Sequence, residues 1–261
     1  MSMPGWALVT GASSGIGEQF ARALARRKQN LILTARSRGK LEALARELQQ
    51  TYDIQAEPLP CDLSVEGAGG FLARSVLEGG REISLLINNA GFGARGEFWV
   101  LPLERQMEMI RLHLAALIEL SHYFLPSMIG RRGAGIINVS SMTGFQPIPY
   151  VAVYAATKNF ITSFSLALTE ELRPYGVRVV TLCPGGTRTN FVIEGSRAGR
   201  GRFPGSGMAA KEVVAQALAK LDSGGGLVVP GFANQIGVFI ERFVPRPCVP
   251  WAVAKMSRPG K

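Results

Sequence analysis

Short apolar runs alternate along this chain with segments of helical periodicity. The runs fall at 6–10, 31–34, 55–59, 85–87, 136–139, 177–182 and 227–229. Between them, apolar residues recur at helical spacing over 18–27, 39–50, 71–77, 103–129, 154–172 and 211–221. No other feature constrains the fold as strongly. A strand, a helix and another strand make a crossover, and repeated crossovers make a mainly parallel sheet. The runs are apolar throughout rather than at every second residue, as in strands covered on both faces. Right-handed crossovers then give an α/β fold, a doubly wound parallel sheet of about seven strands with helices on both faces. Hydrophobic residues make up 47% of the 261, enough for one large core, and no linker divides the chain. A single domain over 1–261 is expected.

Charge and cysteine usage narrow the function classes. The chain carries 29 Lys and Arg against 19 Asp and Glu, a net +10. The cations are scattered and no nucleic-acid module is visible, so the reading is a basic protein with no nucleic-acid partner. Cys61, Cys183 and Cys248 form no Cys-x-x-Cys pair, which argues against a disulfide framework and for a reducing compartment. His113 and His122 have no companion ligands, so no metal site is expected. The N-terminus lacks a signal-peptide pattern and no run approaches the length of a spanning helix. A cytoplasmic location is the expectation.

In sheets of this kind, ligands bind beyond the carboxyl ends of the strands. Directly after the first run stands Thr10-Gly-Ala-Ser-Ser-Gly-Ile-Gly17. Gly11 permits a tight turn, Gly15 lets the backbone approach a pyrophosphate, and Gly17 lets helix pack on strand. The following helix offers free N–H groups and positive potential to an anion. Gly11, Ser13, Ser14, Gly15, Ile16 and Gly17 are therefore the expected phosphate cradle. After the second run a carboxylate would bind a ribose 2′-hydroxyl, but the sequence has Ala35-Arg36-Ser37. Arg36 suits a 2′-phosphate, which points to NADP(H) as cofactor. Asp62, followed by Leu63 after the third run, stands where an adenine amino group could be met, or caps a helix.

Together, Thr10-Gly-x-x-x-Gly-x-Gly17, Asn88-Asn-Ala-Gly91, Ser141, Tyr154-x-x-x-Lys158 and Pro184-Gly185 resemble the classical short-chain dehydrogenase/reductase family, over about residues 5–230. The resemblance implies a Rossmann-type fold and hydride transfer between nicotinamide and a small-molecule carbonyl or alcohol substrate. It implies Ser141, Tyr154 and Lys158 as the catalytic set, with Tyr154 as general acid/base and Lys158 also on the nicotinamide ribose. The two residues stand four apart on one helical face, so the ammonium is expected to lower the phenol's pKa. Ser141 would hydrogen-bond the reacting oxygen. Asn89, Ala90, Gly91, Pro184 and Gly185 would border the nicotinamide half. Thr187 and Thr189 would offer hydroxyls to the carboxamide or the pyrophosphate. Where the family usually has a relay asparagine, this chain has His113, either a relay member or a satisfied helix residue.

The remaining expectations concern the variable end. Residues 187–208, rich in Gly and Arg, are read as a substrate lid, with Arg188, Arg197, Arg200 and Arg202 available to an anionic group. Phe145, Pro147 and Ile148 could line an apolar pocket. In the C-terminal extension, 231–261, residues 232, 236, 239, 240 and 243 share one helical face. That face is read as self-packing or a subunit interface ahead of membrane contact. Family members are usually homodimers or homotetramers. The alternative to an enzyme is an NADP(H)-binding regulatory protein with weak or no catalysis.

Overall fold

The computed structural model describes residues 5–189, 191, 193–195, 207–241, 243–245 and 248–257. Seven strands form the main sheet: β1 (Trp6–Thr10), β2 (Asn30–Thr34), β3 (Ala56–Pro58), β4 (Ile83–Asn88), β5 (Gly135–Val139), β6 (Arg178–Leu182) and β7 (Gly226–Val228). Their order is β7-β6-β5-β4-β1-β2-β3, with every neighbouring pair parallel. This is the expected Rossmann-type sheet. The chain leaves β1 in one direction and β4 in the other, so a crevice opens between their carboxyl ends.

Helices cover both faces. α1 (Gly15–Arg26), α2 (Arg38–Tyr52) and α7 (Ala210–Asp222) pack on one side, where Phe20, Leu24, Leu41, Leu48 and Leu218 meet Ala7, Val9, Leu31 and Leu33. α3 (Ala68–Glu78), α5 (Ala116–Met128) and α6 (Ala152–Leu172) pack on the other, where Leu72, Phe124 and Leu168 meet Leu8, Ile32 and Leu86. Alternate residues of β1 thus feed opposite cores, which is why its sequence is apolar without a break.

Three departures from the sequence pattern have local causes. α3 begins three residues before the apolar periodicity does, because Gly69 and Gly70 supply no side chain. A Cβ on Gly69 would lie 2.6 Å from a carboxylate oxygen of Glu119 and 3.0 Å from the Cα of Ala116. The Gly70 amide donates to Glu119 at 2.9 Å. The helical stretch at 103–129 is not uniform: α4 (Leu103–Ile110) passes through a π-helical turn (Arg111–Ala115) into α5. Finally, two short parallel ribbons, 93–95 with 193–195 and 187–188 with 208–209, fold beyond the sheet. The extension carries α8 (Phe232–Glu241) and α9 (Cys248–Ser257).

Candidate active site

A cleft of about 1040 Å³ opens at the carboxyl ends of the strands. At one end lies the turn between β1 and α1. Gly11 and Gly15 adopt φ of +66° and +60°, the left-handed region that favours glycine. A Cβ on Gly17 would stand 2.3 Å from the Gly11 carbonyl oxygen, so that position admits only hydrogen. The N-cap Ser14 makes no side-chain cap bond, so the first amides of α1 have no side-chain acceptor. Ser13, Ser14, Gly15 and Ile16 line the cleft there, while Gly17 stands behind it as packing.

Asn89 ties this turn to β4. Its amide donates to the Thr10 carbonyl at 2.9 Å, and the Asn89 and Ala90 backbone N–H groups donate to the Thr10 hydroxyl at 2.8 and 2.9 Å. Asn88 points the other way, donating to Asn138 at 2.9 Å in the buried layer. Arg36 and Asp62 line the cleft at the ends of β2 and β3. Burial works to raise the Asp62 pKa, but the Ser64 hydroxyl and amide, Arg36 and Arg105 outweigh it and hold the carboxyl below its usual range. Leu63 is buried beside it.

The other end is assembled from buried side chains. Ser140 and Ser141 follow β5 and divide the work between them. The Ser140 hydroxyl is 2.7 Å from both the Lys158 carbonyl and the Thr162 hydroxyl, so it fastens the strand to α6. Ser141 turns toward the cleft and accepts from the Thr143 amide at 3.2 Å. Tyr154 and Lys158, one turn apart near the start of α6, face the same cleft, with the Lys158 ammonium 5.8 Å from the Tyr154 ring centroid. That ammonium donates to the Val139 carbonyl at 2.9 Å. Burial lowers the Lys158 pKa to about 8. Burial also pushes the Tyr154 phenol up to about 12, against the pull of a hydrogen bond with Ser141. The direction is opposite to the fall expected from the neighbouring ammonium, because burial penalises the charged phenolate.

His113 lies in the π-helical turn, behind the cleft wall rather than on it. The Phe92 amide donates to its Nε2 at 3.2 Å. Nδ1 therefore carries the proton and faces the Thr157 hydroxyl at 2.9 Å, which in turn donates to the Tyr154 carbonyl at 2.8 Å. Burial, with the Lys158 charge, holds the imidazole well below its usual pKa, so it is neutral.

Ala90, Gly91, Pro184, Gly185, Thr187 and Thr189 all line the cleft, with Asn89 beside them. Thr189 caps the Phe191 amide at 3.1 Å. Phe191, whose ring centroid is 6.3 Å from that of Tyr154, is a lining residue the sequence pattern missed; only its nearness to Thr189 could have marked it. Met142 and Thr143 also line the cleft, in place of Phe145, Pro147 and Ile148. Phe145 packs instead against Cys183, Val229 and Val238. The Cys183 thiol is pushed up to about 11 by burial, unlike a nucleophile. Asn190, Arg197, Arg200 and Arg202 lie outside the described residues, as does most of 187–208. No group of residues able to hold a metal ion occurs among the described residues.

A family model described as short chain dehydrogenase matches residues 5–198. Hydroxysteroid dehydrogenase-like protein 1 of Gallus gallus is 36% identical over 183 residues, covering 69% of this chain and 54% of that protein. A very-long-chain 3-oxoacyl-CoA reductase of Phaeosphaeria nodorum is 35% identical over 178 residues, 67% of this chain and 52% of that protein. The chain spans about half the length of the curated relatives it matches. A solved short-chain dehydrogenase from Sphingobium yanoikuyae in complex with NADPH superposes with a TM-score of 0.80 at 32% identity, over 92% of this chain and 93% of that one.

Proposed function

The chain belongs to the short-chain dehydrogenase family, and from that premise we propose that it is an NADP(H)-dependent oxidoreductase acting on a carbonyl or alcohol carbon, with Tyr154 as the proton donor. One observation carries the reading. Ser141, Tyr154 and Lys158 converge at one end of a single cleft whose other end is a helix N-terminus without a side-chain cap.

The residues fit the cofactor. Uncapped amides at the start of α1 suit a pyrophosphate. Arg36, which stands where a carboxylate would bind a ribose 2′-hydroxyl, suits a 2′-phosphate. Asp62 and Leu63 border the adenine place, and Lys158 reaches the ribose place. Ala90, Gly91, Pro184 and Gly185 flank the nicotinamide half, with Thr187 and Thr189 offering hydroxyls. A bound nicotinamide supplies the hydride. The chain's own part is the proton: a phenol kept protonated by burial delivers it to the substrate oxygen, and the Ser141 hydroxyl steadies the charge that develops there. His113, with both ring nitrogens engaged, serves as a clamp between the 88–92 turn and α6 rather than as a proton carrier.

The substrate panel starts from 3-oxoacyl-CoA thioesters and from hydroxysteroids with their ketones, following the names of the curated relatives. Self-association is supported by the apolar residues left exposed along α4, α5 and α6, among them Leu103, Met107, Ile118, Phe160 and Leu166. The deciding experiment follows nicotinamide absorbance with NADPH and NADH over that panel. Turnover with NADPH is expected. Tight NADPH binding with no turnover of any carbonyl compound would instead make the protein a cofactor-binding regulator.

A further inference from the structure

α8 is amphipathic in the wrong sense for a helix that merely packs on its own domain. Phe232, Ile236, Phe239 and Ile240 share an arc of roughly 100°, Phe243 follows just past the helix end, and all five are exposed, Phe232 at 78% and Phe243 at 73%. The inward arc holds polar groups instead. The Asn234 amide donates to the Pro230 carbonyl at 2.6 Å, and Glu241 is half-buried with its carboxyl pushed up by burial. Val238 is the one buried apolar residue of the helix. Phe239 and Phe243 pack edge to face across one turn, centroids 5.3 Å apart, which holds the outer surface together as a unit. Trp251 of α9 is exposed as well, at 65%.

The helix also leans on the rim of the cleft. The Asn234 amide stands 2.6 Å from where Gly185 would carry a Cβ, and the Met142 methyl stands 3.8 Å from the same point on Gly237. Gly185 and Met142 both line the cleft.

We propose that the outer face of α8 docks on an anionic lipid bilayer surface, placing the cleft rim at the membrane interface. Charge selects this occupant over a second copy of the chain. By sequence, residues 231–261 carry Arg242, Arg246, Lys255, Arg258 and Lys261 against Glu241 alone, within a chain of net +10. A self-contact would bring together two copies of a chain of net +10, whereas anionic headgroups neutralise that charge. Aromatic rings suit the interfacial zone. No helix among the described residues is long and apolar enough to cross a membrane, so the contact is peripheral.

The test is co-sedimentation of the full chain with vesicles of phosphatidylcholine alone or mixed equally with phosphatidylglycerol. The expected result is partitioning at least about tenfold stronger to the anionic vesicles, weakened by salt. The double variant Phe239→Ser/Phe243→Ser should lose about tenfold of that binding while keeping its melting temperature and NADPH affinity. Should the double variant prove unstable, Phe232→Ser at the most exposed position carries the same comparison. Failure to pellet with anionic vesicles overturns the proposal, and so does undiminished pelleting of the variants. A wild-type oligomer that the variants convert to a smaller particle, measured by light scattering, also overturns it and assigns the face to a second copy.

Discussion

The two ends of the cleft are made of different material. At the glycine-turn end the lining is mostly backbone: left-handed glycines at 11 and 15, the amides of α1 without a side-chain cap, and two exposed side chains, Arg36 and Asp62, that can be exchanged without disturbing a core. At the end that holds Ser141 it is buried side chains, Tyr154 and Lys158, whose ionisation the interior moves in opposite directions. A backbone site fixes what kind of ligand is held, and its exposed side chains tune the choice. A buried side-chain site fixes what happens to the ligand, and it is sensitive to single atoms.

That contrast can be broken in four ways. Removing one oxygen with Tyr154→Phe should lower turnover by about 10³-fold while leaving NADPH affinity within about twofold, measured by steady-state kinetics and nucleotide fluorescence. A parallel loss of affinity would mean that the two ends are not separable. At the exposed end, Arg36→Asp should move the NADPH-to-NADH ratio of kcat/KM by about 10- to 100-fold toward NADH, with the melting temperature unchanged. A wild-type protein that already prefers NADH would sink the cofactor assignment.

Lys158 links the two ends through pH. Burial depresses its pKa to about 8, so the ammonium is present below that value and lost above it. Binding that depends on the charge should weaken by about tenfold per pH unit as pH rises past about 8, and Lys158→Met should flatten the curve. A wild-type affinity that stays level from pH 7 to about 10 would remove the amine from the cofactor site.

The smallest effect on turnover belongs to His113. Its replacement by leucine strands the Phe92 amide and takes one of two partners from the Thr157 hydroxyl, so unfolding measurements should show a loss of about 1–3 kcal/mol. Turnover should fall less than about tenfold, and the pH–rate profile should keep its shape. The sign of the stability effect can be checked as well. The folded imidazole stays neutral while an unfolded one protonates near 6.5, so wild-type stability should drop as pH falls through that value and His113→Leu should drop less. If leucine costs as much turnover as Tyr154→Phe while His113→Asn stays active, a proton-relay role replaces the clamp.

Much of this molecule was legible before any coordinates. Strands buried on both faces write themselves as unbroken apolar runs, and the seven runs became the seven strands of the sheet. The glycine turn, Asn88 to Gly91, Ser141 and the Tyr154–Lys158 pair were visible because a tight turn restricts residue type and because the family's motifs stand at the strand ends. What escaped was set by partners distant in sequence. The first turn of α3 has no apolar signature because Gly69 yields to Glu119 and Ala116 across the layer. Phe145 is as apolar as a pocket residue, and only packing against Val229 and Val238 decided its place. The Tyr154 pKa depends on burial, which spacing on a helix cannot report.

The π-helical turn at Arg111–Ala115 holds one more residue than an ordinary turn would. An α-helix advances about 100° per residue, so a single surplus residue resets the phase of everything downstream. One rod can then serve two neighbours whose demands are out of step: His113 reaches inward to Thr157 on one side of the reset while Ala116 and Leu120 keep their seats against α3 and the sheet. Deleting any one residue between 111 and 115 would bring the two stripes back into register and leave one of them facing the wrong way. The irregularity works as a clutch between the hydrophobic layer and the Tyr154–Lys158 pair, and a chain shortened there should fold its sheet yet misplace its tyrosine.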